Sequence, residues 1–222
     1  MIELSTRWKE ILPEAHLGLL AVKNAPNLND HSGLKSAREE LENKLRSEYG
    51  AMDRKSLRET PVLAAYDAFY RPFKKSYHVQ LQLESIVFKG KSIFSPSALV
   101  ACMFMAELKT GLLTAAHDQK ALVVPLVADV AVGNEIYLRL DGTEQTLKEG
   151  DIYIRDQEGI LSSVIYGPDQ RTQIRPDTDQ AVFTTYGPPG ISKSQVQEQL
   201  EILESYIKIF SPEAERSLLI VL

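Results

Sequence analysis

The apolar pattern of this chain changes period once, at Gly111, and that change restricts the fold more than any other feature. Upstream, apolar residues recur at helical spacing. Leu34, Ala37, Leu41 and Leu45 mark a helix over 33–49, with Asp30 or Ser32 as its cap and Gly50 as its stop. Thr60 and Pro61 open the next helix with a capping hydroxyl and a first-turn proline. It carries Leu63, Tyr66, Phe69 and Tyr70, and ends by Arg71-Pro72. Residues 78–88 mix both periods, and 96–109 read as a deeply buried helix. Before these, 16–23 is short, apolar and turn-bounded, as a buried strand is. Downstream the segments shorten. Residues 112–115, 122–132, 135–140, 151–155, 160–166 and 181–186 read as strands, and Asp141-Gly142 as a hairpin turn. Ser192 caps a helix over 193–209, and 218–222 is a strand-like tail. Helices, then strands, then one closing helix predict an α+β fold, not a regularly alternating parallel sheet. No linker composition interrupts the chain. The expectation is one domain over 1–222, helix-rich to about 111 and strand-rich from about 112.

Composition removes several classes. With 222 residues and 44% apolar content the chain can bury a core without staples, and it lacks the signature of disorder. Its single cysteine, Cys102, excludes an intrachain disulfide framework and any site built from several thiolates. The longest apolar run, 98–106, falls far short of the roughly 20 residues a bilayer span needs. The N-terminal residues lack a signal-peptide pattern. These readings predict a cytoplasmic protein that does not enter the membrane, and they leave the oligomeric state open. The net charge is −5, yet residues 51–95 hold eight basic against four acidic side chains. That window is +4 and the remainder −9, which predicts a basic face on an acidic body.

No phosphate loop, dinucleotide fingerprint, nucleophile elbow or zincin helix is present. Three clusters remain. In Thr114-Ala115-Ala116-His117-Asp118, an imidazole beside a carboxylate is a candidate general base with its orienter. Adjacent residues of an extended segment point to opposite faces, so His117 and Asp118 need not touch. With Glu107 they offer two or three hard metal ligands without a spacing rule, so neither a metal nor a cofactor is expected. The second cluster runs from Tyr66 to His78 and interleaves rings with cations. Arg71, Lys74, Lys75, Lys89 and Lys91 are its RNA-binding candidates; the competing reading makes the rings core and the cations solvated. The third spans Tyr166 to Asp179, where Tyr166 and Arg171 sit on a pocket rim or in a turn held by an Asp–Arg pair. Ser162 and Ser163 on the preceding strand are candidate pocket hydroxyls without a visible base, and Glu107 and Thr184 are further pocket candidates.

In order and spacing these segments resemble the B3/B4 domain of the bacterial phenylalanyl-tRNA synthetase β subunit, which also occurs as stand-alone proteins. The matching pieces are 64–71, Phe88-Lys89-Gly90-Lys91, Glu107 to Asp118, Asp151-Ile152-Tyr153-Ile154, 163–167 and 171–186. The resemblance covers most of the chain, from about residue 15 to about 210. The resemblance implies a β-sandwich of unusual topology flanked by helices, with a pocket between two halves. In the synthetase that pocket hydrolyses mischarged tyrosyl-tRNA. It also implies tRNA or aminoacyl-tRNA as partner and, at most, hydrolysis in trans, since the chain is no complete phenylalanine–tRNA ligase. The family's editing His position is Ala115 here, and its pocket Glu falls near Thr184, so the editing chemistry does not carry over. A non-catalytic RNA- or small-molecule-binding module, or a small hydrolase using His117 and Asp118, are the other readings.

Overall fold

The computed structural model describes residues 2–94 and 96–222. The chain runs through β1 (Ile2–Leu4), α1 (Thr6–Ile11), β2 (His16–Lys23), α2 (Ser32–Tyr49), α3 (Arg54–Arg58), α4 (Pro61–Tyr70), α5 (His78–Lys89) and α6 (Ala98–Thr110). Then come β3 (Leu113–Asp118), β4 (Leu126–Val130), β5 (Ile136–Leu138), β6 (Glu144–Thr146), β7 (Ile152–Arg155), β8 (Ile160–Ser163), β9 (Gly167–Pro168) and β10 (Ala181–Gly187). Helix α7 (Lys193–Phe210) and strand β11 (Glu215–Val221) complete an α+β fold.

Two sheets carry the architecture. One has the order β11-β2-β10-β3, all antiparallel. The other has the order β1-β4-β7-β8-β9, antiparallel except for the parallel pair β1–β4. Strands β5 and β6 form a separate hairpin around Asp141-Gly142. The four-stranded sheet draws β2 from before Gly111 and the rest from after it, and the main apolar cluster runs from Ile2 to Ala214.

Helix α7 covers the four-stranded sheet. Its Val196, Leu200, Leu203 and Ile207 are fully buried, and each contributes about 1.5–3 kcal/mol of burial. Gly18 of β2 makes this close approach possible, because a Cβ there would lie 2.5 Å from Val196 Cγ1. Ser192 and Gln195 form a reciprocal capping box at the helix start, as its sequence indicates. At the end of α6, Gly111 adopts φ +80°, a conformation that glycine takes without steric cost, and swings the chain from helix into β3.

Several local expectations need correction. Helix α2 is capped neither by Asp30 nor by Ser32: His31 Nδ1 accepts from the Leu34 amide at 3.3 Å. Thr60 precedes α4 without capping it, since its hydroxyl donates backwards to the Leu57 carbonyl at 2.8 Å. The mixed-period stretch 78–88 is helix α5. The strand expected over 122–132 shrinks to β4. The one expected over 160–166 stops at Ser163, whose hydroxyl takes the Tyr166 amide at 2.9 Å and turns the chain. Strand β3 continues through His117 and Asp118, which therefore lie in the sheet and not in a turn after it.

The rings of the second cluster are core. Tyr66 and Tyr77 are buried and stack with centroids 4.2 Å apart, with Tyr70 tilted against Tyr77. Their hydroxyls find backbone partners, as buried tyrosines require. Tyr66 donates to the Tyr186 carbonyl and accepts from the Leu113 amide; Tyr70 donates to Val164 at 2.7 Å and Tyr77 to Gly111 at 2.8 Å. Three side chains thus tie α4 and α5 to β10, β3 and the end of β8.

Candidate functional site

The segments pinned by these tyrosines surround a cleft of ≈ 340 Å³. It opens at the free edge of β3, between α6 on one side and the β8–β9 corner on the other. Its walls are mainly apolar: Val100, Met103 and Phe104 of α6, Val164 after β8, and Ile174. Phe94 stands at its border, 68% exposed and tilted against Phe104 with centroids 6.1 Å apart.

The polar groups in this wall are few. Glu107 Oε1 accepts from the Thr114 amide at 2.7 Å, while Oε2, equally buried, has no hydrogen-bond partner. Burial pushes this carboxyl up to about 8, against the opposing effect of the Thr114 amide. Burial thus favours the protonated form of this acid. His78 borders the cleft with Nδ1 3.4 Å from the Tyr70 hydroxyl, and the residue is exposed. The strand edge adds a backbone donor. The Thr114 and Asp118 amides point away from β10, to Glu107 Oε1 and to the Thr172 carbonyl. Alternate amides of a strand share a direction, so the Ala116 amide faces the same open edge, and Ala116 lines the cleft. No lysine or arginine is among the lining residues.

Glu107 and Ser163 thus both reach the cleft, and Ser163 Oγ is engaged by the Tyr166 amide. His117 does not reach it. The ring is fully buried, with Nδ1 2.8 Å from Thr172 Oγ1 and Nε2 3.2 Å from Ser162 Oγ. Thr172 passes its proton-side contact on to Asp169, and Ser162 Oγ lies 2.6 Å from the Tyr186 hydroxyl. Burial, aided by the Arg171 charge, lowers the imidazole to about 4. Asp118 points the other way, accepting from the Lys120 amide and the Thr178 hydroxyl at 2.9 and 2.7 Å. The two side chains are not partners. Ala115 and Thr184 face each other directly across the β3–β10 ladder, so the two positions where the resemblance places an editing His and Glu are adjacent in space. Here they present a methyl and a hydroxyl that sits 3.5 Å from the Tyr186 hydroxyl.

The third cluster is a knot of charges. Arg171 meets Asp156 at 2.8 Å and Glu158 at 3.3 Å, and donates to the Ala121 carbonyl at 2.6 Å. Tyr166 is half-buried with Lys75 Nζ 5.7 Å from its ring centre. The RNA-binding candidates divide. Arg71 (paired with Asp67 at 2.8 Å), Lys74 and Lys75 precede α5; Lys89 and Lys91 lie at its other end, roughly 17 Å away along the helix. Among the described residues no group of three His, Cys, Asp or Glu side chains is placed to hold a metal ion, and no helix is long and apolar enough to cross a membrane.

No protein-family model and no curated protein sequence matches the chain. Among solved structures it is similar to an N-terminal fragment of the phenylalanyl-tRNA synthetase beta-subunit from Pyrococcus horikoshii, with a TM-score of 0.51 and 12% identity. The likeness is one of fold. It covers 100% of this chain and 53% of the fragment, so the chain spans about half that fragment's length. The α+β architecture agrees with the resemblance drawn from the residues.

The residue pattern did not single out the Ala116 amide, His78 or Phe94. A backbone group carries no residue signal, and the other two reach the cleft from α5 and the 91–97 connection by tertiary packing alone.

Proposed function

We propose that this chain binds the aminoacyl end of a charged tRNA in the cleft and does not itself hydrolyse the ester. The observation that carries this reading is the cleft: apolar walls of amino-acid size, one carboxyl with an oxygen that has no protein partner, and a strand amide turned to the free edge of β3. The fold likeness to a tRNA-synthetase fragment supports RNA as the carrier. Lys74 and Lys75, a few residues before His78 at the cleft, are the cations best placed for its phosphates. Hydrolysis lacks machinery. His117 is enclosed with both ring nitrogens engaged, and His78 has Nδ1 near the Tyr70 hydroxyl with no carboxylate partner to orient it.

The test is binding of phenylalanyl- and tyrosyl-tRNA against uncharged tRNA at two salt concentrations, with deacylation followed in parallel. Charged tRNA should bind at least about tenfold tighter, a gap of about 1.4 kcal/mol. Both affinities should fall with salt. Val100→Trp, which fills the cleft, should erase the preference. Equal affinity for charged and uncharged tRNA sinks the reading. Rapid deacylation that disappears in His117→Ala would instead make the domain an editing enzyme.

A further inference from the structure

We propose that Glu107 reads the α-ammonium group of the bound aminoacyl moiety, and that the cleft thereby accepts amino acids as esters or amides and rejects them as free acids. This rests on the aminoacyl reading above and adds to it the identity of the selecting residue.

Three observations converge. Glu107 has one oxygen committed to the Thr114 amide and the other without a partner, although the residue is 1% exposed. Buried polar groups are almost always paired, so a carboxyl oxygen without a protein partner on a cleft-lining residue can take a ligand's donor when the side chain turns to it. The Ala116 amide faces the same space and suits an acyl carbonyl. Between and around them lie Val100, Met103, Phe104 and Ile174, which suit an apolar side chain. An aminoacyl ester carries one ammonium, one neutral carbonyl and one side chain, and so matches the three features in kind and number.

A free amino acid differs by a carboxylate. No lysine or arginine lines the cleft to neutralise it. Arg171 is held by Asp156 and Glu158 instead. Burying that unpaired charge opposes binding. An ester or amide removes it and leaves only the ammonium, which the Glu107 carboxylate balances. The carboxyl's tendency to remain protonated in the empty cleft fits a group that ionises only when a cation arrives.

The experiment is calorimetric titration of the full chain with phenylalanine amide, leucine amide, N-acetylphenylalanine amide and free phenylalanine, repeated on Glu107→Gln. The glutamine keeps an oxygen for the Thr114 amide, so the fold is retained, and the ligand series on the unaltered protein does not depend on any variant. The two simple amides should bind, with the acetylated amide and the free acid at least about tenfold weaker. Glu107→Gln should weaken the simple amides alone and leave the acetylated one unchanged. Equal binding of acetylated and simple amides, equal binding of the free acid, or no binding of either simple amide overturns the assignment. A preference for charged tRNA that persists unchanged in Glu107→Gln also overturns it while sparing the broader reading. Loss of that preference in the unaltered protein removes the reading itself.

Discussion

Strand β3 borders two polar regions that differ in one respect. Near its start stands Glu107, and near its end His117, and both are buried. Each imidazole nitrogen has a hydroxyl partner, in a linear chain Asp169–Thr172–His117–Ser162–Tyr186 whose last ring borders the cleft. Glu107 keeps an open oxygen beside a cavity. Asp151 supplies a control: its Oδ2 is also without a partner, but it does not line the cleft. Burial of an ionisable group therefore does not mark a site, and neither does an unsatisfied atom. What sets Glu107 apart is that an unsatisfied oxygen belongs to a residue lining the cleft. The His117 chain holds the two sheets in register, since it links β3, β8 and β10 with the loop after β9.

The largest effect that would test this contrast is on stability. His117→Ala strands the Thr172 and Ser162 hydroxyls and leaves a cavity, and should cost about 2–4 kcal/mol in urea unfolding. At temperatures where the variant is folded, charged tRNA should still bind. If stability is unchanged and only binding is lost, the two regions have been assigned the wrong way round.

Next in size is a pH effect. In the unfolded chain Glu107 and Asp151 titrate near 4.5 and 3.8, but in the fold at about 8 and about 7. His117 moves the other way, from 6.5 to about 4. Between about pH 4.5 and 6.5 the unfolded state holds one more proton at this histidine and two fewer at the acids, so the contributions partly oppose each other. From 6.5 to 8 only the acids remain, the folded state binds more protons, and stability falls as pH rises, by at most about 1.4 kcal/mol per pH unit for each proton. Thermal unfolding from pH 6 to 8.5 should show the fall, and Glu107→Gln should remove its upper part. A rise over that interval would contradict the protonated acid.

Tyr186→Phe removes the last hydroxyl of the His117 chain and should cost about 1 kcal/mol by chemical denaturation, through Ser162. A cost below a few tenths would show that the chain is loose at that end.

The smallest expected change separates the two basic groups. Lys75→Ala should lower the magnitude of the log–log salt slope of tRNA binding by about one, with Lys89→Ala without effect. The reverse result would move the RNA contact to the far end of α5.

Some of this was legible from residues alone. Strand β2 has the bounds expected, because a turn-bounded apolar run allows few alternatives. The capping box of α7 and the hairpin at Asp141-Gly142 rest on local chemistry and needed no tertiary information. The caps of α2 and α4 depend on which of several polar side chains reaches an amide, and a propensity for capping does not decide that. Helix α5 was ambiguous because its buried face includes the polar Gln80 and Glu84 while Leu81 is exposed, which blurs the apolar period. At the candidate site, Glu107 and Ser163 were readable as pocket residues, whereas Tyr166, Arg171 and Thr184 proved to be engaged away from the cleft wall.

The sequence by itself determined the fold class and the change from helices to strands at Gly111. These follow from local periodicity and residue identity, which neighbours along the chain set. Only the tertiary structure decided which ionisable groups are satisfied. His117 and Glu107 look alike in one dimension. Their difference lies in partners 45 and 55 residues away for the histidine, and in the absence of any such partner for one oxygen of the glutamate. Desolvation and hydrogen bonding act through space, so the chain had to fold before one group became structure and the other a site.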